Sequence, residues 1–181
     1  MSLANKISLF RILLVPVFVA SLLYYHPARD GLRFVSLALF AAGILSDALD
    51  GFVARSKGQQ SKLGAILDPV ADKFLILGAF ISLSTIHGLP DWMRLPAWFN
   101  LIVISRDVFL IAGTLVLFVF TGKFAVQPSR LGKAAVALQM SVVPIVLLGW
   151  PIKDPLLIGV AILTVCSGVA YVRRGMRLIG D

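Results

Sequence analysis

Six apolar runs, separated by short segments carrying charge, proline or glycine, dominate this chain and fall near residues 7–25, 32–55, 63–87, 96–121, 132–150 and 154–172. Crossing a hydrocarbon core takes about 20 apolar residues per helix, so each run is a candidate membrane span. Lipid offers no partners for open backbone groups, which leaves the helix as the form such spans take. With 181 residues, 59% of them hydrophobic, and a mean hydropathy of +0.93, six spans use up the chain. The expected fold is an all-α integral membrane protein of six transmembrane helices, with residues 1–181 forming a single membrane domain.

Lysines and arginines in the connecting segments give the orientation. Lys6, Arg11, Arg55, Lys57, Lys62, Lys123, Arg130, Lys133, Arg173, Arg174 and Arg177 fall on one side. The other side has Arg29, Arg33, Arg94 and Lys153, in loops that also carry Asp30, Asp91 or Asp154. Both termini are therefore expected in the cytoplasm. The net charge of +8 is spread singly between apolar runs and forms no long basic stripe, which argues for anionic lipid headgroups over nucleic acid. Lys6 and Arg11 ahead of an apolar run superficially resemble a secretory signal, but no convincing small-residue cleavage site follows. The lone Cys166 rules out an intrachain disulfide and reads as a small packing residue.

All nine acids are aspartates, and four of them, Asp47, Asp50, Asp68 and Asp72, lie at the expected cytoplasmic ends of the second and third spans. Carboxylates at membrane depth are costly and therefore point to function. Asp47 and Asp50 are spaced i, i+3, and Asp68 and Asp72 i, i+4, so each pair shares a helix face. A short loop joins the two spans, which should run antiparallel and bring these faces together. Unpartnered, the four carboxylates would repel one another, and divalent cations remove that repulsion. An oxygen-only donor set without His or Cys suits Mg²⁺ or Mn²⁺, two of which, about 4 Å apart, would form a clamp for displacement at phosphorus. Gly51 and Ala54 lie on the Asp47/Asp50 face and Gly64 lies one turn before Asp68, leaving room beside the metals. Arg55 adds a planar cationic fork suited to phosphate oxygens.

The run Asp47-x2-Asp50-Gly51-x2-Ala54-Arg55-x8-Gly64-x3-Asp68-x3-Asp72 resembles the complete signature of the CDP-alcohol phosphatidyltransferases, matching all eight constrained positions and the gap lengths between them over 26 residues. The resemblance implies that Asp47, Asp50, Asp68 and Asp72 bind two divalent cations, with Asp47 and Asp68 bridging. Asp72 would also deprotonate the acceptor hydroxyl. Gly51 and Arg55 would contact a CDP-activated lipid, as would Ser61 through its phosphates, beside the small residues Ala54 and Gly64. The implied reaction moves a phosphatidyl group from CDP-diacylglycerol to an alcohol and releases CMP. The implied location is a bacterial inner membrane, with the active site on its cytoplasmic side and a homodimeric assembly by family analogy.

Outside the signature, Asn5, Ser8 and Arg11 resemble the polar N-terminal element of glycerolipid members; Arg11 either meets substrate phosphate or snorkels as an anchor. Arg106 and Asp107, inside the fourth span, either neutralise each other and brace another span or place Arg106 in the acceptor pocket. Arg130 and Lys133 either bind an anionic acceptor or form an ordinary positive-inside loop. Lys73 is expected to snorkel or pair locally, His26 and His87 to lie at outer span ends, and Trp92, Trp98 and Trp150 to anchor at the interface. Ser105-Arg106-Asp107 and Gly132-Lys133 with Gln139 look like the glycerol branch, for which glycerol 3-phosphate is the first choice of acceptor and phosphatidylglycerol, as in cardiolipin synthases, the alternative. A small cation transporter or channel would also explain intramembrane aspartates. It would not explain Arg55, the small-residue face, or acids gathered at one end.

Overall fold

The computed structural model describes residues 3–57, 64–121 and 130–180, with side chains at 9–28, 30–46, 73–115 and 130–176. Within these residues the chain is helical and has no strand. Six helices, α1 (Leu3–Leu23), α2 (Gly31–Lys57), α3 (Gly64–Thr85), α4 (Ala97–Thr121), α5 (Arg130–Leu148) and α6 (Lys153–Gly180), follow one another, with 3-10 turns at Pro27–Arg29 and Asp91–Met93. These bounds follow the six apolar runs, apart from α6, which continues to Gly180 where the apolar run ends at 172. Arg173, Arg174 and Arg177 end the apolar run without ending the helix, because basic residues suit a helix C-terminus.

Three stretches are long and apolar enough to cross a membrane among the described residues: Asp91–Leu115, Arg130–Leu148 and Lys153–Met176. Leu9–Leu23, Gly31–Ser46 and Lys73–Thr85 are shorter apolar stretches.

Backbone contacts divide the chain into two units, one of Met1–Leu95 with Val143–Trp150, the other of Pro96–Val142 with Pro151–Asp181. In the first unit α1 packs along both α2 and α3. Its core is apolar: Phe18 and Phe40 are fully buried with ring centroids 5.9 Å apart, and Phe80 and Leu83 of α3 are also fully buried. The Ser21 and Ser36 hydroxyls lie 2.7 Å apart in the buried seam, where one donates to the other and the acceptor donates to its own helix carbonyl, that of Phe18 or Leu32. The pairs Phe18/Phe40 and Ser21/Ser36 show that α1 and α2 run antiparallel.

Close approach depends on glycine at two points. A Cβ on Gly43 of α2 would lie 2.5 Å from Leu75 Cδ2 of α3, and one on Gly78 of α3 would lie 2.8 Å from Val15 Cγ1 of α1. Gly43 thus brings α2 onto α3, and Gly78 brings α3 onto α1.

One end of this unit is tied by a cluster the sequence reading did not assemble. Arg33 of α2 pairs with Asp30 at 2.8 Å, which also accepts a 3.2 Å hydrogen bond from the Tyr25 hydroxyl. The Arg33 guanidinium lies 4.7 Å from the Phe34 ring centre and 5.3 Å from that of Trp92. Trp92 in turn packs on Gly149, whose φ of 68° lies in the left-handed region that favours glycine. The segments that follow α1, α3 and α5 thus meet at Arg33. Nearby, the Leu95 amide donates to the Leu83 carbonyl and the Ser84 hydroxyl to the Leu95 carbonyl, hooking the segment after α3 back onto that helix.

The second unit pairs α4 with α6 in parallel, as the contacts Arg106/Ser167 and Thr114/Tyr171 show. Its joints are polar. Thr114 and Tyr171 hydroxyls lie 2.6 Å apart, and the fully buried Gln139 of α5 donates to Thr164 of α6 at 3.0 Å. Cys166, expected to pack, is instead exposed on α6, while its neighbour Ser167 is buried. The hydroxyl faces inward because it has a partner to reach there.

Candidate active site

The candidate residues of the aspartate signature fall on α2 and α3. Asp47, Asp50, Gly51, Ala54 and Arg55 belong to the second half of α2, and Gly64, Asp68 and Asp72 to the first half of α3. Their side chains lie outside the described ones, as does the whole of Ser61. Helix formation through both stretches keeps the i, i+3 and i, i+4 spacings meaningful, since each acid pair then occupies one face. No group of three His, Cys, Asp or Glu that could hold a metal occurs among the described residues. The donor set on α2 and α3, four carboxylates with neither His nor Cys between Gly31 and Thr85, fits a hard oxygen-seeking cation and does not fit a zinc site.

Arg11 is the described residue of this region with the clearest anomaly. It lies in α1, in the middle of an apolar sequence, and is 0% exposed. A snorkelling anchor keeps its charged head in water, so full burial disagrees with that role. Lys73, at the boundary with the acid-bearing turn of α3, is half-buried and has an interaction partner of its own.

The remaining candidates are on the second unit. Arg106 and Asp107 form a 2.8 Å ion pair with side chains 9% and 7% exposed. Arg106 Nε also donates to Ser167 Oγ of α6 at 3.2 Å, and Ser167 donates to the Thr164 carbonyl. The pair is thus neutralised and braces α4 against α6, one of the two readings its sequence position allowed. Sequence reasoning missed Ser167 and Thr164, whose only signal was their recurrence at i, i+3 in an otherwise apolar run. Beside Arg106 an apolar cleft of about 260 Å³ opens between Phe109, Val165 and Tyr171. Arg130 and Lys133 begin α5 and are exposed. His26 accepts a hydrogen bond from the Ala28 amide at the turn after α1, and His87 is exposed after α3. Trp92, Trp98 and Trp150 are 41%, 45% and 54% exposed near helix ends, as interface anchors would be.

The family model for CDP-alcohol phosphatidyltransferase matches residues 1–170. A Mycobacterium tuberculosis protein provisionally named phosphatidylglycerophosphate synthase is 34% identical over 99% of this chain and 84% of its own length. A Haemophilus influenzae protein named CDP-diacylglycerol--glycerol-3-phosphate 3-phosphatidyltransferase is 37% identical over 59% of this chain and 54% of its own length. A Mycobacterium bovis protein provisionally named cardiolipin synthase is 35% identical over 82% of this chain and 66% of its own length.

Proposed function

The chain belongs to the CDP-alcohol phosphatidyltransferase family, and from that premise we propose that it transfers a phosphatidyl group from CDP-diacylglycerol to glycerol 3-phosphate, giving phosphatidylglycerophosphate and CMP. The observation that carries the reading is the family match over residues 1–170, which includes the whole aspartate signature on α2 and α3. Relatives named for the glycerol 3-phosphate reaction support this acceptor.

Asp47, Asp50, Asp68 and Asp72 would hold two divalent cations, Mg²⁺ or Mn²⁺, which supply Lewis-acid stabilisation of the charge developing on the pyrophosphate oxygens. The chain's own residues divide the rest of the work. Asp72 takes the proton of the acceptor hydroxyl as that oxygen bonds to the phosphorus carrying the diacylglycerol. The bond from that phosphorus to the CMP oxygen breaks, and CMP leaves with the electron pair. Arg55 grips phosphate oxygens, Ser61 contacts them as well, and Gly51, Ala54 and Gly64 leave space for the CDP-lipid beside the metals. Arg106, Arg130 and Lys133 are the candidates for the anionic acceptor; the exposed pair at the start of α5 is the more available, because Arg106 is already engaged.

The reading places the protein in a bacterial inner membrane with six spans, both termini and the active site cytoplasmic. Two observations support it. The segments after α1, α3 and α5 gather at Arg33, as alternating spans require of odd-numbered loops. The lysines and arginines are concentrated at the other ends.

Purified protein incubated with CDP-diacylglycerol, Mg²⁺ or Mn²⁺ and one acceptor at a time tests the proposal. Metal-dependent CMP release is expected with glycerol 3-phosphate and not with Asp72→Asn. Release with phosphatidylglycerol instead would establish the cardiolipin synthase reading, which the Mycobacterium bovis relative favours. No release with any acceptor would defeat the proposal.

A further inference from the structure

Arg11 is fully buried on a helix whose own sequence offers it no acid, so its charge must be met by what α2 and α3 bring. Helical register identifies the partner level. Phe18 of α1 packs on Phe40 of α2, and both rings are fully buried. Seven residues make about two turns and return to the same face. Counting seven back from Phe18 reaches Arg11, and counting seven on from Phe40 along the antiparallel helix reaches Asp47. Val15 meets Gly78, and one turn from each, in the same direction, stand Arg11 and Phe74, two residues beyond Asp72.

We propose that Arg11 is a positioning residue for the metal site, its buried guanidinium holding the Asp47 carboxylate in place. This rests on the reading of Asp47 as a metal ligand. A bidentate fork fixes a carboxylate where an ammonium supplies only a point charge. Groups that orient metal ligands in this way typically change metal affinity or activity by about 10–100-fold when replaced. The same placement gives the site an asymmetry: Arg55 acts on substrate phosphate, and Arg11 acts on the protein's own ligand.

The test measures Mn²⁺ binding to the full-length protein in detergent by electron paramagnetic resonance, without lipid substrate, alongside the Mn²⁺ dependence of CMP release. Arg11→Lys is the informative variant because it keeps the charge, so repulsion of the metal is unchanged and only the fork is lost. Its Mn²⁺ affinity is expected to fall about tenfold. The Mn²⁺ concentration for half-maximal activity should rise in step, and the KM for CDP-diacylglycerol at saturating Mn²⁺ should stay within about twofold. Arg11→Gln loses the fork but also lifts the repulsion of the metal, so its Mn²⁺ affinity should fall by less than in Arg11→Lys, and Arg33→Lys, at the far end of the same helices, should leave it unchanged. Unaltered Mn²⁺ binding in both Arg11 variants overturns the proposal, as does a raised KM for the CDP-lipid with an unchanged Mn²⁺ curve, which would make Arg11 a substrate contact. An equal loss in Arg33→Lys would also overturn it, because general loosening of the helices would then explain the effect. Wild-type protein that binds no Mn²⁺ would defeat the metal reading itself, whereas binding that ignores Arg11 would defeat this inference alone.

Discussion

The first three helices and the α4/α6 pair handle intramembrane polarity in opposite ways. In the second unit polar groups on facing helices meet one another: Arg106 neutralises Asp107 and reaches Ser167, Gln139 bonds Thr164, and Thr114 bonds Tyr171. In the first, α1 meets α2 through buried rings and a serine pair and meets α3 at Gly78, Gly43 brings α2 onto α3, and four aspartates occupy the end of the unit away from Arg33. A charge inside a span is therefore not in itself a mark of catalysis. What separates the two cases is whether adjacent residues already balance it. Arg106 and Asp107 are neighbours of opposite sign, whereas the signature has four like charges and one arginine, Arg55.

Six variants would break or sharpen this contrast. The largest effect is expected from Asp50→Asn, which should cut CMP release by about a thousandfold. Its melting temperature in detergent should be nearly unchanged if, as proposed, the acid serves substrate and metal; a large loss of stability would erase the distinction between the units. Asp107→Ala should do the reverse. It leaves the Arg106 charge buried and should cost about 3 kcal/mol of stability, read by thermal unfolding. Arg106→Met combined with Asp107→Leu should recover most of that loss.

Next come the glycine contacts. Gly78→Ala should destabilise by about 2 kcal/mol and Gly43→Ala by less, both within the range for overpacking. The difference follows from the neighbours, since Leu75 offers the flexible end of its side chain and Val15 is β-branched and stiff. Equal melting shifts for the two would argue against close helix approach as the joint of the first unit. The smallest effect is expected from Tyr171→Phe, which removes the hydroxyl bonded to Thr114 and should cost about 0.6 kcal/mol, the usual scale of hydrogen bonds between membrane helices.

Much of the architecture could be read from the apolar runs, because length and hydropathy alone separate six helices and set their ends to within a few residues. The end of α6 escaped that reading, since a helix can outlast its apolar stretch where arginines suit its terminus. The signature was legible because it is local, with every spacing contained in two consecutive helices. Relations between distant residues were not. Nothing in the order of residues pairs Arg33 with Trp92 and Gly149, or Phe18 with Phe40, and the burial of Arg11 depends on α1 having neighbours on two sides. Cys166 and Ser167 make the same point, since both are small residues on one helix and only the packing decides which turns inward.

The division of α5 has a consequence for how the chain is made. Its final turns, with Val143, Val146 and Leu147 almost wholly enclosed, belong with α1, α2 and α3, although two thirds of the helix belong with α4 and α6. During synthesis, α1, α2 and α3 leave the ribosome well before the segment that completes their packing. The unit that carries the aspartates stays unfinished until about residue 150 has been translated, and a nascent chain stalled at Leu95 should be cut readily by protease where one released after Trp150 resists. Protection from quality-control proteases would then arrive late, in one step, with the last turns of a helix that carries none of the four aspartates.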